Sequence, residues 1–265
     1  MSIDYIHVTE ISGDDVTREQ VERICHRYYW AGEYCRGKDV LEAACGAGQG
    51  LGYLAGLAKS LQAGDYSEEI LGIARRHYGS RVNLRQFDAQ NMPFPDKSLD
   101  VVILFEAIYY LPDAGKFAAE CARVLRPGGR VLVATANKDL YDFNPSPHTH
   151  RYYGVVELSE LFRSCGFNAE CFGCWPAGNA SLLQKALRPV KMVAARLGLI
   201  PKTMAGKKLL KRLVFGKLVP MPAEITAGIA SYVPPVPLAP DTPDRKHKVI
   251  YCAAVLKRGE DKFRS

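Results

Sequence analysis

The sequence predicts an α/β fold with a doubly wound, mostly parallel sheet. Between residues 20 and 175, short apolar runs alternate with amphipathic segments of ten or more residues. A glycine turn, Gly46, Gly48 and Gly50, follows the first apolar run directly, and acidic residues follow later runs. Strands that alternate with helices form βαβ units with right-handed crossovers and hence a parallel sheet.

The first helix is signalled by its capping residues. Thr17 and Gln20 have capping-box spacing, and Val21, Ile24 and Tyr28 continue at helical intervals. Periodicity, breakers and caps place the other helices at residues 51–59, 68–78, 114–125 and 155–164. The same signals place strands at residues 40–44, 61–64, 82–87, 99–105, 130–136, 168–174 and 247–257.

Composition indicates one large domain, or a domain with an insertion. The chain has 265 residues, is 48% apolar and contains no apolar run long enough for a transmembrane helix. The N-terminus has neither the basic nor the apolar part of a signal peptide, and eight scattered cysteines suit reduced thiols, so we expect a cytoplasmic protein. Cys171 and Cys174 would point to opposite faces of a strand, so no metal site is expected.

The positive charge is concentrated in one segment. Residues 185–217 carry ten basic and no acidic residues, more than the net charge of +7 for the whole chain. We expect residues 1–174 and 246–265 to form the sheet domain and residues 175–245 a basic, helical and proline-rich insertion. The insertion is either a lid on the sheet or a contact for an anionic membrane surface through residues 182–217; nucleic acid is disfavoured because no recognition module is present.

The proline-rich stretch at residues 231–243, SYVPPVPLAPDTP, closes the insertion. Proline removes a backbone donor, so this stretch is too proline-rich for the interior of a sheet or a helix, and we expect it to run extended over the surface.

A nucleotide-like ligand is expected beyond the carboxyl ends of the strands. Gly46, Asp65, Asp88 and Glu106 all follow predicted strands, and ligands of doubly wound sheets bind at that edge. A nicotinamide dinucleotide fold would also use Asp65, on its ribose. Two features tilt the choice towards another ligand: the carboxylate of Glu42, before the turn, could accept from an ammonium or order the loop, and Asp88 supplies a second polar contact beyond the third strand.

Five ordered motifs resemble those of class I S-adenosylmethionine-dependent methyltransferases: VLEAACGAGQG, GDYS, FDAQNMPFPDKSLDVV, FEAIYYLPD and RVLRPGGRVLVATAN. The resemblance covers residues 20–175 and 247–257. It implies a Rossmann-like, seven-stranded sheet with an antiparallel last strand, the helical insertion preceding that strand, and S-adenosylmethionine as cofactor. The cofactor residues it implies are Glu42, Ala44, Gly46, Ala47, Gly48, Asp65, Tyr66, Asp88, Ala89, Phe105 and Tyr29.

Within that resemblance, Gly46, Ala47 and Gly48 would face the methionine part and Glu42 would help to hold its ammonium. Asp65 would bind the ribose hydroxyls beside Tyr66, and Asp88 and Ala89 would contact the adenine edge. Glu42 and Ala44 depart from the commoner Asp and Gly of the family. Taken singly, the acidic residues could equally be solvated strand ends, caps or turn residues.

The acceptor of the methyl group is the open question. For a hydroxyl acceptor a general base helps, and the candidates are His150, His148, Glu106, Tyr109, Tyr110 and Asp142. A histidine has a suitable pKa, although the loop that holds both histidines could equally be a polar surface loop. Residues 137–167 and 199–225 resemble a subgroup of bacterial polysaccharide-biosynthesis methyltransferases, which implies a sugar hydroxyl. A quinone, a polyketide or another small molecule is the alternative acceptor, and a cofactor-binding module without turnover the alternative class.

Overall fold

The structure is a computed structural model that describes residues 10–141, 143–146, 148–177 and 218–258. The basic segment at residues 185–217, with the predicted helical part of the insertion and the predicted membrane contact, lies outside the described residues, as does the candidate base Asp142.

The described helices are α1 (Arg18–Cys35), α2 (Leu51–Ala55), α3 (Glu68–Tyr78), α4 (Ala114–Val124) and α5 (Val155–Ser164), with a 3-10 turn at Ile108–Tyr110. The described strands are β1 (Asp15–Val16), β2 (Asp39–Glu42), β3 (Ser60–Asp65), β4 (Asn83–Gln86), β5 (Leu99–Phe105), β6 (Leu125–Ala136), β7 (Phe167–Pro176), β8 (Val219–Pro220), β9 (Val236–Leu238) and β10 (His247–Leu256).

The central sheet has the order β4-β3-β2-β5-β6-β10-β7-β9. The pairs from β4 to β6 are parallel, and β10 runs antiparallel to both of its neighbours, β6 and β7. The predicted α/β fold with an antiparallel last strand is therefore confirmed. The parallel order places the carboxyl ends of β2, β3 and β5 along one edge, where the predicted crevice lies.

The proline-rich stretch runs extended at the surface as predicted, and part of it also joins the sheet as an edge strand, which was not predicted. Val236–Leu238 forms β9, which pairs antiparallel with Cys171–Gly173 of β7 and adds an eighth strand. An edge strand uses only one row of its backbone groups for pairing, so the missing donor of Pro237 is tolerated there.

Two element boundaries differ from the sequence prediction by four residues or more. Helix α2 ends at Ala55 rather than at residue 59, because Gly56 follows as its C-cap and Lys59 already donates to the carbonyl of Lys38. Strand β6 begins at residue 125 rather than 130. A register shift lets residues 126–129, the RPGG turn, bulge out between two sections that both pair with β5.

Two apolar layers cover the faces of the sheet. One packs α4 and α5 against it through Phe117 and Phe162, and the other packs α1 against it through Trp30. Cys171 belongs to the first layer and Cys174 to the second, which confirms that they face opposite ways. Within the described ranges, no group of three or more His, Cys, Asp or Glu side chains is arranged for a metal, and no helix is long and apolar enough to cross a membrane.

Residues 218–246 form a strap across the outside of α1. Strand β8 pairs with β1, and the side chains of Met221 and Ile225 are buried in the layer that contains α1. The backbone N–H of Ile225 donates to the carbonyl of Gln49 over 2.7 Å, which ties the strap to the glycine turn. This part of the predicted insertion is thus packed on the sheet domain.

Candidate active site

A cavity of about 690 Å³ opens along the carboxyl ends of β2, β3 and β5. Because the strand order is β4-β3-β2-β5, Asp65 and Asp88 lie towards one end with Gly46, and Glu106, which faces Arg27, lies towards the other. We call these the nucleoside end and the acceptor end. The two ends differ in the groups that form them.

The glycine turn forms the floor of the nucleoside end. Gly46 and Gly48 have φ values of 56° and 86°, in the left-handed region that favours glycine. A Cβ at Gly50 would lie 2.0 Å from the ring of Tyr28, so only glycine fits under that ring. The turn therefore needs glycine for two reasons, backbone conformation and the approach of α1.

Asp65 links the turn to the end of β3. Its Oδ2 accepts from the N–H of Gly46 at 3.0 Å, and its Oδ1 accepts from the N–H of Ser67 at 2.9 Å. Burial raises the pKa of Asp65, and these backbone donors oppose that shift. Each carboxylate oxygen has a second lone pair, so Asp65 can still accept bonds from hydroxyls of a ligand.

Glu42 lies beneath the wall formed by Ala43 and Ala44. Its side chain is fully buried, and its Oε1 accepts from the hydroxyl of Tyr28 at 2.5 Å. Its Oε2 is also buried and has no hydrogen-bond partner among the described residues. Burial raises the pKa of Glu42 to about 7, while the Tyr28 bond and the charge of Arg27 lower it.

Glu106 is the carboxylate at the acceptor end that faces Arg27. It follows β5 with φ 51°, a left-handed conformation that is strained for a residue with a side chain. The hydroxyl of Tyr109 donates to Glu106 Oε2 at 3.0 Å, and Arg27 Nη1 lies 3.4 Å from Oε1. Burial raises the pKa of Glu106, and the guanidinium of Arg27 opposes that shift.

The two candidate histidines are placed differently. His150 lines the cavity, and its backbone N–H donates to the carbonyl of Tyr109 at 2.8 Å. His148 is exposed, with φ 65°, and does not line the cavity. Tyr110 lines the acceptor end with its hydroxyl 3.4 Å from that of Ser146.

Most of the predicted site residues meet around the cavity. Those on its wall are Ala44, Gly46, Asp65, Tyr66, Asp88, Ala89, Phe105, Glu106, Tyr109, Tyr110 and His150. Glu42, Ala47, Gly48, Tyr29 and His148 are not on the wall. The hydroxyl of Tyr29 instead donates to the carbonyl of Thr226 in the strap at 2.7 Å.

Several residues on the cavity wall were not predicted from the sequence. Gln20, Arg23, Arg27 and Tyr28 line the cavity from α1, and Trp175 and Lys248 line it from the ends of β7 and β10. The α1 residues follow one another at intervals of three, four and one, so helical spacing from the capping box could have indicated this face. No local signal marks Trp175 or Lys248.

The residues at the nucleoside end fit S-adenosylmethionine. Asp65 offers acceptors for ribose hydroxyls, and Tyr66 and Ile70 offer apolar surface for a base. The unpartnered Oε2 of Glu42 is the buried acceptor that an ammonium group near Ala43 and Ala44 would satisfy. No group in this set conflicts with a positively charged amino-acid tail.

Residues 41–133 match the family model described as "Methyltransferase domain". The chain is 39% identical over 153 residues to a Mycolicibacterium smegmatis protein named "Probable S-adenosylmethionine-dependent methyltransferase", an alignment that covers 56% of each protein. It is 41% identical over 106 residues to a fatty-acid O-methyltransferase of the same organism, covering 38% of each. The chain spans about half the length, or less, of these two relatives.

The fold agrees with this match. A Thermotoga maritima structure described as an S-adenosylmethionine-dependent methyltransferase superposes with a TM-score of 0.58 at 14% identity, covering 90% of this chain and 92% of that one. The matched domain, the fold and the residues of the site are thus similar to those of S-adenosylmethionine-dependent methyltransferases.

Proposed function

We propose that the protein transfers the methyl group of S-adenosylmethionine to a hydroxyl of a polar acceptor, a sugar or glycan intermediate. The observation that carries this proposal is the composition of the acceptor end. Arg23, Arg27, Gln20 and Glu106 supply hydrogen-bond donors and acceptors there, and Trp175 and Tyr110 supply aromatic surface. Such a wall suits a ring with several hydroxyl groups.

Bound S-adenosylmethionine supplies an activated methyl group, so the protein needs chiefly to align the acceptor and to exclude water. Glu106 is our choice of general base. Its carboxylate lines the cavity, and Tyr109 and Arg27 hold one oxygen each. It would take the hydroxyl proton as the new bond to carbon forms, and Arg27 would keep the carboxylate ionised until then.

His150 and Tyr110 also line the cavity and lie next to Tyr109, the residue that donates to Glu106. His150 is fixed through its backbone to Tyr109, so its ring is presented next to the base without replacing it. We assign both residues to acceptor orientation. His148, which is not on the wall, has no role in the proposed step.

A fatty chain as acceptor is the second candidate, because one relative is named a fatty-acid O-methyltransferase. Burying a long chain requires an apolar tunnel, whereas three cationic side chains, Arg23, Arg27 and Lys248, line the acceptor end. A lipid-linked saccharide would combine a polar acceptor with a lipid: its sugar would enter the cavity, and its lipid would stay outside, at an anionic membrane surface. Salt-sensitive co-sedimentation with anionic vesicles, lost when Lys207, Lys208, Lys211 and Arg212 are changed together to Gln, tests that extension.

Labelled cofactor provides the experiment. The protein is incubated with S-adenosylmethionine carrying a radioactive methyl group and with extract separated into glycan, lipid and small-molecule fractions. We expect label in the glycan or lipid-linked glycan fraction, and none with Asp65→Ala, because that variant loses the acceptor for the ribose. Label confined to small apolar molecules would refute the sugar acceptor. Tight calorimetric binding of NAD(H) and none of S-adenosylmethionine would refute methyl transfer itself.

A further inference from the structure

We infer that Arg27, together with Arg23 and Lys248, binds an oxyanion carried by the acceptor, a carboxylate or a phosphate. The inference rests on the proposed function and names the class of polar acceptor, an acidic or phosphorylated sugar. We call these three residues the cationic wall. It is formed by successive turns of α1 and by one residue of β10.

Arg27 is the centre of the cationic wall, because its guanidinium has a donor left unused by the described residues. The side chain is 15% exposed, and its contact with a carboxylate is Glu106 Oε1 at 3.4 Å. Its Nε is buried without a partner in the described part of the chain. A guanidinium has five N–H donors and no acceptor, and buried donors are normally satisfied, so this one calls for a ligand rich in acceptors.

The neighbours of Arg27 also have donors to spare. Arg23 Nη2 and Lys248 Nζ both donate to the same oxygen, Glu19 Oε1, at 2.5 and 3.0 Å. One carboxylate therefore serves two cations. The indole Nε1 of Trp175, over whose ring the Arg23 guanidinium lies at 5.8 Å, is buried with no partner among the described residues.

Carboxylates at this end do not remove the surplus of donors. Glu10 lines the cavity, but its Oε1 already accepts from Gln20 Nε2 at 2.7 Å. Glu106 accepts from Tyr109 as well as facing Arg27. The unused groups are thus guanidinium and indole N–H groups, which only donate. A carboxylate or phosphate, which only accepts, complements them where a neutral sugar hydroxyl would not.

The cofactor carries a carboxylate of its own, so two sources of the same chemistry must be told apart. Arg27 faces Glu106 at 3.4 Å, and its charge also acts on Glu42, so it borders the methionine part of the cofactor as well as the acceptor end. Arg23, which lies over Trp175, and Lys248 share Glu19 and extend the cationic wall beyond Arg27, and we therefore assign the oxyanion to the acceptor. S-adenosylhomocysteine has the amino-acid carboxylate and 5′-methylthioadenosine lacks it, which gives a direct comparison.

The experiment measures binding without turnover. Protein saturated with S-adenosylhomocysteine is titrated with glucuronate, glucose 6-phosphate and glucose, and tryptophan fluorescence is followed. The chain has two tryptophans, and Trp175 lies in the wall, so Trp175→Phe should remove the response. We expect saturable binding of glucuronate or glucose 6-phosphate and no response to glucose; the anion that responds identifies the carboxylate or the phosphate.

Arg27→Gln and the double variant Arg23→Gln with Lys248→Gln should each lower the affinity for that anion about tenfold or more, which is the effect of losing one charge-assisted hydrogen bond. The matched control is Arg18→Gln, an exposed arginine of α1 that pairs with Glu22. Unchanged binding of S-adenosylhomocysteine shows that the variants are folded and that the cofactor carboxylate is held elsewhere.

Two results would overturn the inference. One is the absence of saturable binding for both anionic probes. The other is a variant Arg27→Gln that binds S-adenosylhomocysteine more weakly but 5′-methylthioadenosine equally well, because the oxyanion would then belong to the cofactor. Since no step requires methyl transfer, a failed labelling experiment with intact anion binding would refute the proposed function separately.

Discussion

The two ends of the cavity are formed by different parts of the chain, one mainly by backbone and the other mainly by side chains. The nucleoside end is made by backbone: glycines in left-handed conformations and an aspartate held by the N–H groups of Gly46 and Ser67. The acceptor end is made by long side chains from α1, the turn after β5, and β10. A backbone site has one shape for one ligand, whereas a side-chain site can be changed without altering the fold.

Two carboxylates, the fully buried Glu42 and the partly buried Glu106, show this difference. Burial raises the pKa of both Glu42 and Glu106, and a tyrosine hydroxyl donates to each. Glu106 also faces the guanidinium of Arg27, whereas one oxygen of Glu42 has no partner among the described residues. We interpret Glu106 as a group prepared for proton transfer and Glu42 as a group prepared for a cation.

The largest expected effect is on catalysis. Glu106→Gln keeps the shape of the side chain and removes the base, so kcat should fall by about 10²–10⁴-fold, the usual contribution of a general base. Binding of S-adenosylhomocysteine should stay unchanged, because the residue lies at the acceptor end. The measurements are steady-state kinetics on the labelled acceptor fraction and calorimetry with S-adenosylhomocysteine.

The pH profile gives an independent check on Glu106. A base must be ionised to act, and burial raises the pKa of Glu106 above its ordinary value of 4.5. The rate should therefore fall as the pH drops through that raised pKa, and this acid limb should vanish from the residual rate of Glu106→Gln. A variant that retains full kcat would move the role of base to His150.

The second effect is on stability and concerns Glu42. Its pKa in the folded protein, about 7, lies above the ordinary 4.5, so the fold favours the protonated form. The contribution of protonated Glu42 to the free energy of unfolding is fully present below about pH 4.5 and is lost as the pH rises through about 7. The loss is on the order of 3 kcal/mol for a fully buried group with this shift.

Glu42→Gln removes this titration. In the ligand-free protein, the variant should be more stable than the parent at about pH 8 and should lose less free energy of unfolding between about pH 5 and pH 8. Urea denaturation at the two pH values measures this. The variant should also bind S-adenosylhomocysteine more weakly, since an amide does not attract an ammonium. Equal pH dependence in parent and variant would contradict a buried, uncompensated Glu42.

The nucleoside end could be predicted from sequence because its determinants are local. Glycine spacing, the cap at Ser67 and an acid after each strand are adjacent to the elements that they position, and parallel topology brings them together. The boundaries of α3, β5 and α5 were predicted to the residue for the same reason. The strand β9 was missed because a proline is acceptable at an edge, and whether a strand is an edge depends on the whole sheet.

The acceptor end could not be predicted to the same degree, because contacts distant in sequence create it. Arg27 and Glu106 come from α1 and from the turn after β5, and Lys248 joins them from β10. A basic residue on a helix is ordinarily a solvated one, so nothing local distinguishes Arg27 from Arg18. Only the packing of α1 over the crevice buries one and exposes the other.

The smallest expected effects concern Tyr28 and Tyr29, two neighbouring residues of α1. They test whether the cofactor residues implied by the sequence are the ones that the structure places at the site. The resemblance singled out Tyr29, yet the structure turns Tyr28 towards Glu42 and the cavity and Tyr29 towards the carbonyl of Thr226. Tyr28→Phe removes the donor to a buried carboxylate and should weaken binding of S-adenosylhomocysteine about tenfold. Tyr29→Phe removes a bond to the strap and should lower stability by about 1 kcal/mol while leaving that affinity unchanged. Calorimetric titration and thermal unfolding of the two variants side by side separate the effects, and the reverse pattern would restore the role that the sequence assigned to Tyr29.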